Sequence, residues 1–401
     1  MIRFLIVTFL FVLTSISFHA CTEIQSEPKI TLPAAEEWFM DDSTALYLDT
    51  FSAAFEEGLT NQSIPGGAVV IVKEGRVIYQ KGFGVKETGK TDNVDEHTVF
   101  RIGSVSKGFA SVLAGVLAEE DLLSWDGSVS SYLDDFKLFD PEQTERVQIK
   151  HILSHTSGLP RHAYTNLVED GLTLDRIIPR LERVPLIAKE GEQLAYQNAT
   201  YSVIEKVMEA QTGTDFESLL TSKIFEPLGM VNSSASYDSL MRSENKALPH
   251  VWYSRSRGRV PVKITKKYYN AISSGGINAS ASDMGKWLLL LTGYYPEIIS
   301  KETLNEIYEP LATINNKRFS RYWDSVNESH YGMGWRVLDN EGQKIVYHGG
   351  YVNGYRSEIA FSPEDGVGIC VLINANSSYP LQVIPGLFEY FRTDSIEVVF
   401  E

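Results

Sequence analysis

The strongest constraint on the fold of this chain is where its strand-forming runs lie. Near the start, Ala68-Val69-Val70-Ile71-Val72 and Val77-Ile78-Tyr79 flank the turn pair Glu74-Gly75. That pattern predicts a hairpin over Gly66 to Gly84. Phe100 to Ile102 is a further short extended piece. The other clear β-rich runs lie near the far end: Gly334 to Leu338, Lys344 to His348, Gly354 to Phe361 and Val367 to Ile373, with turn residues between them. The middle of the chain has a helical period instead. Phe109, Leu113 and Leu117 recur at four-residue spacing after Ser104. Val203, Val207 and Met208 share a face before the stop at Gly213, and Asp215 is a plausible N-cap for the next helix. Helices are also expected over Ser282 to Leu291 and Ile384 to Phe391. Strands from both termini with helices between them predict an α/β chain of the α+β type. Its antiparallel sheet is built from the two ends, flanked by helices, with a mainly helical region inserted. The expected sheet region covers about 34–103 and 270–401, and the helical region about 104–269.

The first residues read as a separate unit. Met1-Ile2-Arg3 is a short positive start, Phe4 to Phe18 carries no charge, and His19-Ala20-Cys21 follows. The apolar run is shorter than the roughly 20 residues of a membrane-spanning helix, so it predicts a signal peptide over 1–20. Cys21 at the expected cut resembles a bacterial lipoprotein processing site, with 21–33 as a lipidated tether and the domain over 34–401. Thr22 is not the Asp of an inner-membrane retention signal, which favours the outer membrane in a Gram-negative host. Without lipidation at Cys21, the product is secreted. The chain has two cysteines, so a lipidated Cys21 leaves Cys370 without a disulfide partner, as a small core side chain in an apolar strand. The net charge of −16 disfavours nucleic acid and anionic lipid headgroups as partners. The expected membrane contact is therefore through the lipid alone.

Chemistry is concentrated in one of three Ser-x-x-Lys pairs. Ser26–Lys29 lies in the tether and Ser243–Lys246 in a polar stretch. Roughly two such matches arise by chance in a chain this long. Ser104–Lys107 follows Gly103 where a strand meets an apolar helix. A three-residue spacing on a helix puts both side chains on one face. A buried Lys amine can accept the Ser proton, and the Ser N–H near a helix start can hold an oxyanion.

The segment Phe100-Arg101-Ile102-Gly103-Ser104-Val105-Ser106-Lys107 resembles the active-site segment of the class C β-lactamase-related serine hydrolases, a group with a β-lactamase/transpeptidase-like fold. Further segments match in order: His155-Thr156-Ser157-Gly158-Leu159, Tyr196-Gln197-Asn198, Glu226-Pro227-Leu228-Gly229-Met230, Ser274-Gly275-Gly276-Ile277, Tyr331-Gly332-Met333-Gly334-Trp335 and His348-Gly349-Gly350. The resemblance spans about residues 35 to 395. It implies that Tyr196 relays protons between Ser104 and the leaving group, beside Lys107, which is the setting a phenol needs to act as base. Tyr-x-Asn also occurs at Tyr164, Tyr268 and Tyr351, with Tyr164 as the second candidate. Asn198 would orient the substrate amide or Lys107. His348 stands where the β-lactamases carry Lys, and it resembles the D-aminopeptidase and esterase branches. A His is mostly neutral near pH 7, so weaker binding of penicillin-type carboxylates is expected. Gly349 and Gly350 would let substrate lie against the strand, and the N–H groups of Ser104 and Tyr351 would form the oxyanion site.

No metal-binding motif, phosphate loop or Gly-x-Ser-x-Gly elbow is present, so no cofactor is implied. His155 reads as a turn brace, and nothing fixes His162, Trp252 or Tyr253 in a cleft. The expected activity is serine hydrolysis of D-amino-acid peptides, acyl esters or β-lactams, with peptidase or esterase ranked first. A penicillin-binding sensor with little turnover and an acyltransferase are the alternatives. The sequence leaves the oligomeric state open.

Overall fold

The computed structural model describes residues 40–314, 322–323 and 325–393. The expected signal peptide, the tether with Cys21 and the Ser26–Lys29 pair lie outside the described residues. Helix α1 (Asp42–Asn61) leads into the hairpin β1 (Gly66–Lys73) and β2 (Arg76–Gly84). Strand β3 (Phe100–Arg101) precedes helix α2 (Ser106–Glu119). A second hairpin joins β4 (His250–Ser254) and β5 (Gly258–Pro261), and β6 (Asn278–Ala279) pairs with β3. Then come β7 (Ala312–Thr313), β8 (Val326–Tyr331), β9 (Arg336–Asn340), β10 (Gln343–Val352), β11 (Tyr355–Ser362) and β12 (Val367–Ile373).

The main sheet has the order β2-β1-β12-β11-β10-β9-β8-β7. The last strand lies beside the first, with Val70 opposite Cys370 and antiparallel register throughout the pair. The two ends of the chain thus share one sheet. Helices cover both faces, which is why β1 and β12 are apolar along their length instead of alternating. Ala68, Val70 and Val72 join the core cluster that contains Met284, Trp287 and Leu288 of the helix Ala281–Leu291. Phe51 and Phe55 of α1 pack instead on Tyr79 and Phe83, and Tyr379 of the C-terminal helix Tyr379–Thr393 packs on Phe55. Cys370 is fully buried among these strands, the core position expected for it.

Three features differ from the sequence expectation. Helix α1 lies within the segment assigned to the sheet, held by Tyr47, Leu48, Phe51, Phe55 and Leu59 on one buried face. The hairpin β4–β5 lies within the segment assigned to helices. The closing helix begins at Tyr379, five residues before Ile384, and includes Pro385. Asp215 does cap its helix, accepting from the Ser218 N–H.

Candidate active site

Gly103 starts the site. Its φ of +52° is a left-handed value that disfavours other residues. A Cβ there would meet the Tyr351 nitrogen at 2.8 Å. The bare glycine lets the 3-10 turn Gly103–Val105 press against β10, bringing the Ser104 and Tyr351 backbones together. Helix α2 follows at once, and the Ser106 hydroxyl accepts the Ile277 N–H at 3.1 Å, tying the start of α2 to the glycine turn. Ser104 is half-buried on the wall of a cavity of about 340 Å³.

Lys107 is completely buried. Its Nζ donates to Asn198 Oδ1 at 2.8 Å and to the Ser274 carbonyl at 3.0 Å, both uncharged acceptors. The amine also lies 4.8 Å from the Tyr196 ring centroid and 5.2 Å from that of Tyr201. Burial without a carboxylate partner lowers its pKa; Tyr196 opposes the shift and Arg336 adds to it. The amine is therefore biased toward its neutral, proton-accepting form.

Tyr196 lines the same cavity and is held from behind by His155. The His155 carbonyl accepts the Ala195 N–H at 2.9 Å, and its Nδ1 accepts the Gln197 N–H at 3.2 Å. Its ring lies 4.3 Å from that of Tyr196, centroid to centroid. The brace expected at His155 is thus a clamp on both neighbours of Tyr196. Burial alone would raise the Tyr196 phenol, but the charges of Lys107 and Arg336, with hydrogen bonds to Lys107 and Ser104, carry it below its usual value. Asn198 lines the cavity too and joins Lys107 to the Tyr268 hydroxyl, to which its Nδ2 donates at 3.2 Å. Tyr268 itself donates to Glu169 at 3.1 Å.

The β10 side corrects two expectations. His348 was expected to orient substrate, yet its imidazole is fully buried and is no part of the cavity wall. Its Nε2 meets the Tyr331 hydroxyl at 3.1 Å and its Nδ1 the Gly349 carbonyl at 2.9 Å. Tyr331 does line the cavity, so His348 reaches it one hydrogen bond removed. Burial, then Arg336 and Lys107, hold His348 well below the usual imidazole range, so it is neutral. Alternation along β10 is the reason: Tyr347, Gly349 and Tyr351 face the cavity, and 348 and 350 do not. Gly349 is on the cavity wall. Gly350 is glycine for another reason, since a Cβ would collide with the Ile102 carbonyl and the Ser357 hydroxyl rather than with substrate.

Several cavity residues carry no sequence expectation. Arg336 on β9 stacks against Tyr331 and Tyr347, 5.7 and 5.9 Å from their centroids. Among the described residues it has no carboxylate partner, whereas Arg356 is paired with Glu358. Arg161 and His162 also line the cavity, with Arg161 Nε 3.2 Å from the His162 ring. Tyr164 donates to the Arg180 carbonyl at 3.1 Å and lies outside the wall. Trp252 and Tyr253 are exposed on the second hairpin. In the third Ser-x-x-Lys pair, Lys246 Nζ meets the Ser243 carbonyl at 2.5 Å, which caps a helix end. Among the described residues no group of three His, Cys, Asp or Glu is placed to hold a metal ion, and no helix is long and apolar enough to cross a membrane.

The profile of the Beta-lactamase family matches residues 51–384. The chain belongs to the Beta-lactamase family. Its β-lactamase/transpeptidase fold is an antiparallel sheet with helices. The chain is 27% identical to Protein flp of Staphylococcus aureus (strain N315), over 85% of this chain and 65% of that protein. It is also 27% identical to the Unguisins hydrolase ungD' of Aspergillus campestris, over 82% of this chain and 61% of that protein. The chain therefore spans somewhat under two thirds of the length of these relatives. A solved structure of an octameric penicillin-binding protein homologue from Pyrococcus abyssi superposes with a TM-score of 0.74 at 27% identity, covering 85% of this chain and 77% of that one.

Proposed function

We propose that the protein cleaves amides or esters through an acyl-enzyme on Ser104. The observation that carries this reading is Lys107, buried with two uncharged acceptors and set beside Tyr196 and Ser104. The neutral Lys107 amine takes the Tyr196 phenol proton, and the phenolate, held by the charge so formed, takes the Ser104 hydroxyl proton as Oγ bonds to the substrate carbonyl carbon. The carbonyl electron pair moves to oxygen, where the N–H groups of Ser104 and Tyr351 would meet the charge. Collapse re-forms the carbonyl and breaks the bond to the amine or alcohol, which leaves with the proton from Tyr196. Water then releases the acid by the same steps. Arg336 adds a fixed cation to the wall that faces the substrate. It supports substrates with a carboxylate near the scissile bond, D-amino-acid peptides foremost, and it offsets the neutrality of His348.

A hydrolysis screen tests this reading with D-alanyl peptides, D-amino-acid amides, p-nitrophenyl esters and nitrocefin. Turnover of at least one of them that disappears in Ser104→Ala is expected. Turnover that persists in Ser104→Ala would overturn it.

A further inference from the structure

The buried face of the helix Val203–Thr212 carries a carboxyl that this reaction leaves unused, that of Glu205. Its Oε1 accepts the Ser273 N–H at 2.8 Å and lies 2.6 Å from the Ser273 hydroxyl. Hydroxyl contacts continue from there. Ser273 Oγ is 3.1 Å from Ser202 Oγ, which is 2.8 Å from Ser274 Oγ. Ser274 Oγ donates to the Asn198 carbonyl at 2.7 Å. The chain ends beside the lysine, since Lys107 Nζ is held by the Asn198 side chain and the Ser274 carbonyl.

Each oxygen–oxygen contact in such a chain holds one hydrogen. Here four contacts are served by the hydrogens of three serines. The terminal carbonyl supplies none, and an ionised Glu205 supplies none. One contact is then left without its hydrogen. A protonated Glu205 provides the fourth, and every hydrogen then points one way, from Glu205 toward Asn198.

We propose that Glu205 is a positioning residue for Lys107, its neutral carboxyl supplying the hydrogen that completes the serine chain. The proposal rests on the reading of Ser104 and Lys107 as the acylating pair. Burial raises the Glu205 carboxyl to about 7 against the pull of the Ser273 hydrogen bonds, and the charge of Glu209, one turn along the same helix, adds to the rise. Lys206, the adjacent cation, is taken by Asp175 and Glu209. The facing turn Ile272–Gly275 carries no ionisable side chain, the helical turn Asn198–Tyr201 carries only the Tyr201 phenol, and the buried cation of α2 is Lys107 itself. As pH rises through this range the chain loses a hydrogen and the acceptors of Lys107 lose definition.

The test is the fluorophosphonate labelling rate of the full chain against pH. In Glu205→Gln, the amide nitrogen can donate to Ser273 Oγ as the protonated carboxyl does, and the side chain does not titrate. The ratio of the wild-type rate to that of Glu205→Gln is expected to fall about threefold or more between about pH 5.5 and about pH 8.5. In a Ser202→Ala background, where the chain is cut, the same comparison should be flat. A flat ratio in the wild-type background overturns the proposal, as does an equal fall in the Ser202→Ala background. Labelling that persists in Ser104→Ala overturns the underlying assignment instead. Should Glu205→Gln fail to fold, identical pH profiles for the wild type and Ser202→Ala overturn the proposal.

Discussion

At the scale of single residues, burial lowers the proton affinity of Lys107, and the cations Lys107 and Arg336 lower that of Tyr196. A lysine with a carboxylate partner would stay protonated; this one has an amide and a carbonyl. Arg336 acts on the same pair, lowering both Lys107 and Tyr196, and it also faces the cavity. Its role in binding is separable from its role in tuning. Arg336→Gln should raise KM about tenfold or more for a substrate with a free carboxylate, as the loss of a charged hydrogen bond implies. The same substrate with its carboxylate amidated should show little change in KM. Steady-state kinetics on the matched pair decides, and equal changes for both would remove Arg336 from carboxylate recognition. Ser104, Lys107 and Asn198 are legible in the sequence because their spacing and helix starts are local. The burial of His348 is not, because a lone strand residue has two faces to choose from. Arg336 is not legible either, since a single arginine after Trp335 carries no pattern.

At the scale of elements, the site depends on β10 lying tight against the turn before α2. Gly103 and Gly350 are the two places where that approach forbids a side chain. Gly350→Ala would drive a methyl into the Ile102 carbonyl, and overpacking of this kind costs about 2 kcal/mol. It should also separate Ser104 from the Tyr351 N–H. Thermal melting and the rate of probe labelling should therefore fall together. A variant that melts lower yet labels at the wild-type rate would break the link between the close approach and the site. The strands β1, β10, β11 and β12 are legible because each is a dense β-branched or aromatic run between turns. Helix α1 has an equally regular apolar face, at Tyr47, Phe51, Phe55 and Leu59. The hairpin β4–β5 is mostly half-buried, and its exposed residues are the aromatics Trp252 and Tyr253, so no alternating buried face announces it.

At the scale of the whole molecule, the two ends of the chain close one sheet, and the cavity wall combines β10 with the starts of α2 and the Asn198 turn. This architecture buries ionisable groups whose cost shows in the pH dependence of stability. Glu205 rises from 4.5 to about 7 on folding. The folded state thus holds the extra proton between these values, and stability is lost as pH climbs through them. The full effect is about 3 kcal/mol. Glu205→Gln should accordingly melt higher relative to the wild type at pH 8 than at pH 5 in calorimetry, and an unchanged difference would mean that the carboxyl does not titrate in this range. Acylation at Ser104 is measured most directly by peptide mapping by mass spectrometry after reaction with a fluorophosphonate. One adduct is expected, on the peptide containing Ser104, slowed strongly in Lys107→Ala and absent in Ser104→Ala. An adduct on another residue, or one that forms unchanged without Ser104, would contradict it.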